Sequence, residues 1–303
     1  MKTFFTILIY IFSIPLVSGQ TNINNSNQKN LSKEVKSDKE IKLIIDSALN
    51  IYPHNGLLFL FEAYKNYSKQ EYKKALDNFN KALELMPNDI YIYYDRAVIK
   101  YNLRDYFGAI EDLDSLLKKD SLFDKAYELR GSSKYNNHKI IGALKDLNKA
   151  IELNPYDAMY YISRGKIKLR LGDIKGAIKD NKKAISLNNQ NIESYFILSK
   201  CYLQTLEFKK GIENINIYLL HQPEDIEAYQ LRAELNFKLN KYKETISDCD
   251  YILKNNPMDE KYLFYRGLSY FFINKKRKSC KDLKKAAKFG HDDARRFFNT
   301  HCN

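Results

Sequence analysis

The spacing of the prolines constrains the fold of this chain more than any other feature of its sequence. After residue 20, every gap between successive prolines is 34 residues or twice that number, and these prolines are Pro53, Pro87, Pro155, Pro223 and Pro257. A period of roughly 20 to 50 residues is typical of repeat proteins, in which each unit packs against the next. With proline at repeat position 32, seven units of 34 residues occupy residues 56–293 without an insertion.

Other positions recur in the same frame. Position 8 is Ala, Gly or Ser in all seven units, and position 20 is Ala, Gly, Thr or Ser. Position 4 is Phe or Tyr in six units, and position 34 is Asp or Asn in most of them. Small residues let two helices approach closely, and Asp or Asn favours a helix N-terminus. Each unit is therefore predicted to form a helix, a short turn and a second helix.

Across residues 56–293 this pattern resembles the tetratricopeptide-repeat (TPR) family. The resemblance rests on the period, the small residues at positions 8 and 20, proline at 32, and an aromatic residue at 17 and alanine at 27 in four repeats each. The chain departs from the family where Leu116, Tyr218 and Ile252 replace the small residue at position 27. The resemblance implies an all-α fold, a right-handed α-α superhelical solenoid of tandem helix-turn-helix repeats with a concave groove.

The two ends of the chain carry different signals. Residues 1–19 combine a basic start, an apolar run shorter than a bilayer span and small residues before Gln20, which predicts a secretory signal peptide; a retained membrane anchor is the alternative. We therefore expect an exported protein, periplasmic, extracellular or on the cell surface, that is soluble after signal cleavage. Residues 20–37 are expected to be a disordered polar leader, 38–55 an N-terminal capping helix of half a repeat, and 294–303 the end of a C-terminal capping helix.

Arginine at position 7 and aspartate at position 23 occur together or not at all. Five repeats carry both residues, and repeats one and five carry neither. We predict that each arginine, on the first helix, forms a structural ion pair with the aspartate on the second. Repeat five also has Gly211 inside its second helix, which disfavours the helix. We therefore expect repeat five to be the least stable repeat of the array. The predicted pairs are Arg96 with Asp112, Arg130 with Asp146, Arg164 with Asp180, Arg232 with Asp248, and Arg266 with Asp282.

The family resemblance implies that positions 2, 5, 6, 9, 12 and 13 face a bound peptide or protein. The alternative for several of these residues, above all those at position 12, is packing against neighbouring helices. The candidate groove residues are Phe61, Tyr64, Tyr67, Tyr91, Tyr94, Tyr101, Tyr135, Lys166, Arg170, Lys200, Phe264 and Tyr265. Family members that bind a C-terminal carboxylate need Lys, Asn and Arg in five slots, and we do not predict that ligand because the slots here hold Leu60, Tyr64, Asp95, Lys125 and Leu129.

The formal net charge of +13 is concentrated near the C-terminus. The groove positions hold six basic and five acidic residues, whereas residues 275–296 hold ten basic and three acidic ones. One interpretation is a solvated outer face, and the other is a surface that docks on an anionic membrane or polymer; nucleic acid is not an expected partner. This basic patch comprises Lys275, Lys276, Arg277, Lys278, Lys281, Lys284, Lys285 and Lys288.

The cysteines suggest one covalent bond. Cys280 and Cys302 stand ten residues before and twelve residues after a predicted turn, so antiparallel helices would bring them together, and export permits a disulfide. Zinc bound by the same cysteines with His291 and His301 is the alternative. The cysteines predicted to be buried thiols are Cys201 and Cys249.

No catalytic motif, cofactor site or metal site stands out in the sequence, so we do not expect an enzyme. The leading hypothesis is an exported scaffold that binds a protein or peptide partner in its groove. The alternative hypothesis is an anchoring module that docks its basic C-terminal cap on an anionic envelope surface or polymer. The sequence leaves the oligomeric state open.

Overall fold

The computed structural model describes residues 55–302, and every regular element in that range is an α-helix. The predicted signal peptide, the polar leader and the predicted N-terminal cap up to residue 54 lie outside the described residues, as does residue 303. The fifteen helices described are α1 (Gly56–Ser68), α2 (Tyr72–Leu85), α3 (Ile90–Asn102), α4 (Tyr106–Lys119), α5 (Asp124–Asn136), α6 (Ile140–Leu153), α7 (Ala158–Arg170), α8 (Ile174–Leu187), α9 (Ile192–Gln204), α10 (Phe208–His221), α11 (Ile226–Lys238), α12 (Tyr242–Asn255), α13 (Glu260–Phe272), α14 (Lys276–Lys288) and α15 (Asp292–His301).

The helices are arranged as tandem pairs. Each repeat has a first helix of 13 residues and a second of 14, except that α14 has 13. The chain divides into two compact units, unit 1 up to residue 146 and unit 2 from residue 147. Within unit 1 the helices from α1 to α5 each pack on the next, and within unit 2 those from α7 to α15 do so. The all-α helical repeat solenoid predicted from the sequence is confirmed for residues 55–302.

The first helices begin where the repeat frame places Asp or Asn. The Asn55 side chain accepts a hydrogen bond from the backbone N–H of Leu57 at 3.0 Å, and Asp157 accepts one from Met159 at 2.9 Å. Such caps satisfy N–H groups that have no partner inside the helix. Two first helices lack a side-chain cap: α5, where the frame has Phe123, and α9, where Asn191 accepts no such hydrogen bond.

The turn between the two helices of a repeat depends on one backbone conformation. Position 15 has a positive φ in all seven repeats, at Gln70, Arg104, His138, Gly172, Leu206, Asn240 and Asn274. A left-handed residue ends a helix because the next N–H can return to a free carbonyl of the last turn. The Glu71 N–H does so, donating to the Asn66 carbonyl at 2.9 Å. Only one of the seven residues is glycine, so composition did not indicate this turn.

Small residues lie where the helices cross. Ala63 and Ala75, at positions 8 and 20 of repeat one, are fully buried in one core cluster with Phe79. The large residues Leu116 and Ile252, which depart from the family at position 27, are fully buried as well. None of the helices described from residue 55 to 302 is long and apolar enough to cross a membrane.

Gly211 lies at position 20, where the repeat frame places small residues, and it packs closely against α11. A Cβ atom at this position would lie 2.8 Å from Leu235 Cδ2. Carbon atoms pack at roughly 3.5 to 4.0 Å, so a Cβ at this position would force the Leu235 side chain to shift. The Ser199 hydroxyl also donates to the Gly211 carbonyl oxygen at 2.9 Å. Close packing therefore offsets part of the cost of a glycine inside a helix.

Candidate functional site: the first-helix face

The arginines at position 7 make two parallel hydrogen bonds with the aspartates at position 23. In repeat three, Arg130 Nε lies 2.9 Å from Asp146 Oδ2, and Nη2 lies 2.7 Å from Oδ1. The same arrangement joins Arg96 to Asp112, Arg164 to Asp180, Arg232 to Asp248 and Arg266 to Asp282. Each aspartate is buried, and each arginine is partly shielded from solvent. The pairs therefore connect the two helices of one repeat.

Each of these arginines also contacts the preceding repeat, which sequence reasoning missed. Arg130 Nη1 lies 2.7 Å from Asp114 Oδ1, and Arg232 Nη1 lies 2.9 Å from Asn216 Oδ1. In all five cases the partner lies sixteen residues before the arginine, at position 25 of the preceding repeat. The remaining three partners are Asn80 for Arg96, Asn148 for Arg164 and Asp250 for Arg266. Repeat five, which has Leu198 at position 7, is preceded by Lys182 at position 25. A comparison of the residue at position 25 of one repeat with the residue at position 7 of the next would have indicated this contact.

A second cation supports three of the buried aspartates. The lysines at position 11 approach the same carboxylates, with Nζ–Oδ2 distances of 2.9 Å for Lys100 and Asp112, 2.8 Å for Lys134 and Asp146, and 2.8 Å for Lys168 and Asp180. In repeat six this position is Asn236, which donates to Asp248 at 3.2 Å. Asp248 therefore has Arg232 as its only ion-pair partner among the described residues.

The residues predicted to contact a partner lie on the first helices. We call this surface the first-helix face: positions 2, 5, 6, 9, 12 and 13 of α1, α3 and α5 in unit 1, and of α7, α9, α11 and α13 in unit 2.

In unit 1, the Tyr64 hydroxyl donates a hydrogen bond to Asp95, which joins α1 to α3. Burial raises the pKa of Asp95 to about 6, although the bond from Tyr64 lowers it. Among the described residues, no cation forms an ion pair with Asp95.

Aromatic contacts continue this face from α3 to α5. The Tyr94 and Tyr91 rings lie 5.3 and 6.0 Å from the ring of Phe123, which immediately precedes α5. The amide of Asn136 on α5 donates to the Tyr101 hydroxyl oxygen at 3.0 Å. Side chains of successive first helices thus meet along unit 1.

The candidate aromatic residues of unit 1 differ in exposure. Tyr91 is 62% exposed and Tyr67 is 40% exposed. Phe61 departs from the prediction because it is only 4% exposed, so its ring contributes to the interior and offers no surface to a partner. The half-buried candidates are Tyr64, Tyr94, Tyr101 and Tyr135.

Ion pairs join successive first helices in unit 2. Each pair connects position 9 of one repeat to position 2 of the next: Lys166 to Glu193 at 3.2 Å, Lys200 to Glu227 at 2.6 Å, and Glu234 to Lys261 at 3.5 Å. The sequence showed a balanced set of charges but not their pairing. Because these pairs are largely exposed, each contributes at most about 1 kcal/mol. The remaining basic candidate of this face, Arg170, is exposed.

The geometry is shared with solved repeat proteins. A TPR protein from Parabacteroides merdae is 18% identical with a TM-score of 0.56, over 81% of this chain and 98% of its own. YrrB, described as a TPR protein with an unusual peptide-binding site, is 17% identical with a TM-score of 0.56, over 59% of this chain and 93% of its own. PilF of Pseudomonas aeruginosa is 15% identical with a TM-score of 0.61, over 72% of this chain and 96% of its own.

This chain has the tetratricopeptide-repeat fold. No family model matches the sequence, and no curated protein matches it either. The assignment of the TPR fold therefore rests on the recurring helix pairs and on the solved structures.

The last helix of the TPR array, α15, covers part of the C-terminal first-helix face. The Phe264 ring lies 4.2 Å from the ring of His291, which caps α15, and the Phe271 ring lies 5.0 Å from Phe297. The Tyr265 ring lies 5.0 Å from Phe237 on α11. Phe264 and Tyr265 are accordingly half-buried, which leaves less of them for a partner than the sequence suggested.

A disulfide bond holds α15 against α14. The Sγ atoms of Cys280 and Cys302 are 2.03 Å apart, so neither is available as a zinc ligand. Among residues 55–302, no group of three or more His, Cys, Asp or Glu side chains is arranged to bind a metal ion. Cys201 and Cys249 are buried free thiols, and burial raises the pKa of Cys201 to about 11. A thiol with so high a pKa is a poor nucleophile.

The basic patch lies on α14 and the residue before it. All eight of its side chains are exposed, and none forms an ion pair with a carboxylate of the described residues. The nearby acids have other partners: Asp282 pairs with Arg266, and Asp293 pairs with Arg296. The positive charge of this surface is therefore not neutralised by its surroundings.

Proposed function

We propose that this protein is a non-enzymatic scaffold that binds a peptide or protein segment along its first-helix face. The observation that supports this most is the set of tyrosines on α1, α3 and α5: several of them contact side chains of the next repeat, and they keep part of their rings accessible. Tyrosine buries a large rigid area on binding and loses little conformational entropy. The TPR fold supports an interaction role of this kind.

The chemistry of the unit 1 face favours a partner segment that carries a basic side chain. Burial, together with the nearby carboxylates of Glu128 and Asp95, raises the pKa of Tyr94 to about 12, so both carboxyl groups lie near this ring. Asp95 has a hydrogen bond from Tyr64 but no ion pair among the described residues. A lysine or arginine of the partner could contact Asp95 and an aromatic face together, which combines an ion pair with a cation–π interaction.

The unit 2 face suits a partner with charges of both signs. Its exposed lysine–glutamate pairs are weak, so partner groups can replace either member at little cost. The Lys200 ammonium also lies 4.4 Å from the centre of the Phe196 ring. This surface therefore offers polar specificity, whereas the unit 1 face offers aromatic contact area.

The test begins with affinity capture of the partner by the mature protein from the cells that make it. Crosslinking identifies the bound segment, and calorimetry then measures its affinity. Because tyrosine hot spots contribute about 2 kcal/mol, Tyr91→Ala and Tyr94→Ala should each weaken binding by about 30-fold. Tyr156→Ala is the matched control, since Tyr156 is 80% exposed but lies in the turn after α6. Equal losses in the control, or no loss in the first two variants, would contradict the proposal.

We also propose that the protein is exported. The support is the sequence of residues 1–19, with its basic start, short apolar run and small residues before Gln20. The expected mature N-terminus is Gln20, which N-terminal sequencing of the native protein can detect. A mature chain that still begins at Met1 would contradict this proposal.

Anchoring to an anionic surface or polymer is the second candidate function. The observation that favours it is the basic patch, whose eight exposed cations lack carboxylate partners in the described residues. Charge of this kind attracts polyanions over distances comparable to the Debye length, about 10 Å at 0.1 M salt. The scaffold and anchoring functions use different surfaces, so one protein can combine them.

A further inference from the structure

We infer that the binding partner of the basic patch is a linear anionic polymer, a flexible chain of phosphate or sulfate groups, rather than a lipid bilayer. This inference rests on the proposed anchoring function and names its ligand. The part of the patch that carries it, which we call the basic stripe, comprises Arg277, Lys278, Lys281, Lys284, Lys285 and Lys288.

The basic stripe has the geometry of two rows on one helix. Arg277, Lys281, Lys284 and Lys288 follow the spacing i, i+4, i+7 and i+11, which places them in a single row about 16 Å long at 1.5 Å per residue. Lys278 and Lys285 form a second row, about 80° further around the helix. The residues that α14 buries are on the opposite side, namely Ser279, Asp282, Leu283 and Ala286.

The shape of the stripe favours a flexible polymer over a flat membrane. A plane that touches one row of a helix lies away from the other row, whereas a flexible chain can bend around the helix and contact both. Membrane-binding helices also insert apolar side chains beside their basic ones. Leu283 and Ala286 are fully buried, and Ala287 and Phe289 pack against the C-terminal core cluster. The helix thus has no exposed apolar residue that could enter a bilayer.

The composition of the stripe indicates recognition of charge rather than of a particular chemical group. Five of its six residues are lysines, which act as mobile point charges, unlike the planar fork of arginine. No aromatic side chain lies on α14, and the nearby Tyr270 ring is already in contact with the Lys278 ammonium, 5.5 Å from its centroid. The stripe itself therefore carries no ring on which nucleic-acid bases could stack. A simple repeating anion is therefore the ligand that fits best.

The surrounding structure holds the stripe in place before binding. The Cys280–Cys302 disulfide ties α14 to α15, and Ala294 of α15 is fully buried in the same core cluster as Leu283. Arg266 holds Asp282 on the buried side of α14. A ligand therefore meets a formed helix and does not have to order it, which lowers the entropy cost of binding.

The experiment measures binding of the mature protein to two probes, long-chain polyphosphate and vesicles rich in anionic phospholipid. We expect polyphosphate to bind more tightly. If six phosphates are neutralised, the affinity should fall by about 300-fold between roughly 50 and 200 mM salt, because bound counterions are released. This salt dependence is measured on the unaltered protein and so does not depend on the folding of any variant.

Two charge-matched variants locate the site. The combined changes Lys281→Glu, Lys284→Glu and Lys285→Glu should abolish polyphosphate binding. The control combines Lys179→Glu, Lys182→Glu and Lys183→Glu, which change three exposed lysines of α8 and alter the net charge equally, and it should keep most of the binding.

The outcomes separate this inference from the anchoring function. Binding to vesicles without binding to polyphosphate would overturn the inference and leave anchoring intact. Binding to neither probe would overturn both. Equal loss in the two variants would show that net charge alone governs binding, which would also overturn the inference.

Discussion

Removal of Arg232 should destabilise the protein more than removal of the equivalent arginine in repeat four. Asp248, the partner of Arg232, is 3% exposed and has no other ion-pair partner among the described residues. Arg232→Ala therefore leaves a buried carboxylate without a cation, which typically costs about 3 to 5 kcal/mol. In Arg164→Ala, Asp180 keeps Lys168 at 2.8 Å, so the expected cost is only that of the lost charged hydrogen bonds, about 1.5 to 3 kcal/mol.

Repeat five suggests how the loss can be repaired. It carries Leu198 and Asn214 in place of the arginine and the aspartate. The double variant Arg232→Leu with Asp248→Asn removes the buried charge together with its partner, so it should recover most of the stability that Arg232→Ala loses. The assay is urea unfolding followed by circular dichroism, supported by hydrogen exchange of α11 and α12.

The pH dependence of the single variant gives a further check. Burial raises the pKa of Asp248 above its ordinary value even beside Arg232. Without the arginine the pKa should rise further, so the protonated, uncharged form persists to higher pH. The destabilisation of Arg232→Ala should therefore be small in acid and grow as the pH rises through the folded-state pKa. Equal costs for Arg232→Ala and Arg164→Ala, or no recovery in the double variant, would refute the reasoning.

Three other changes test separate parts of the structure. Cys302→Ser opens a 22-residue loop and should cost about 3 kcal/mol, with α15 exchanging its amides first; a reductant should destabilise the parent protein but not this variant. Leu206→Gly should stabilise the protein by about 1 kcal/mol because Leu206 has a φ of 61°, whereas Leu206→Ala, the control, should not. Between the ordinary Asp pKa of 3.8 and about 6, Asp95 ionises in the unfolded chain but stays largely protonated in the folded protein, so rising pH should lower stability, and Asp95→Asn should remove this slope.

The predicted low local stability of repeat five can be tested by hydrogen exchange. Without the arginine that joins neighbouring repeats, α10 should exchange its amides faster than α8. Equal rates would mean that the close packing of Gly211 on Leu235 compensates for the missing ion pair.

The sequence by itself determined the helices and their period. Proline at position 32, small residues at positions 8 and 20, and Asp or Asn at position 34 act through local sterics and hydrogen bonds, so their recurrence can be read without a structure. The joint presence and absence of Arg at position 7 and Asp at position 23 could be read in the same way, because one pattern repeats five times.

Only the tertiary structure decided which side chains meet between repeats. The pairing of Lys200 with Glu227 and the burial of Phe61 have no local sequence signature. Each depends on how closely and at what angle one helix crosses the next. That crossing is set by the packing of all the side chains between the helices together, and a repeat pattern read one position at a time does not contain it.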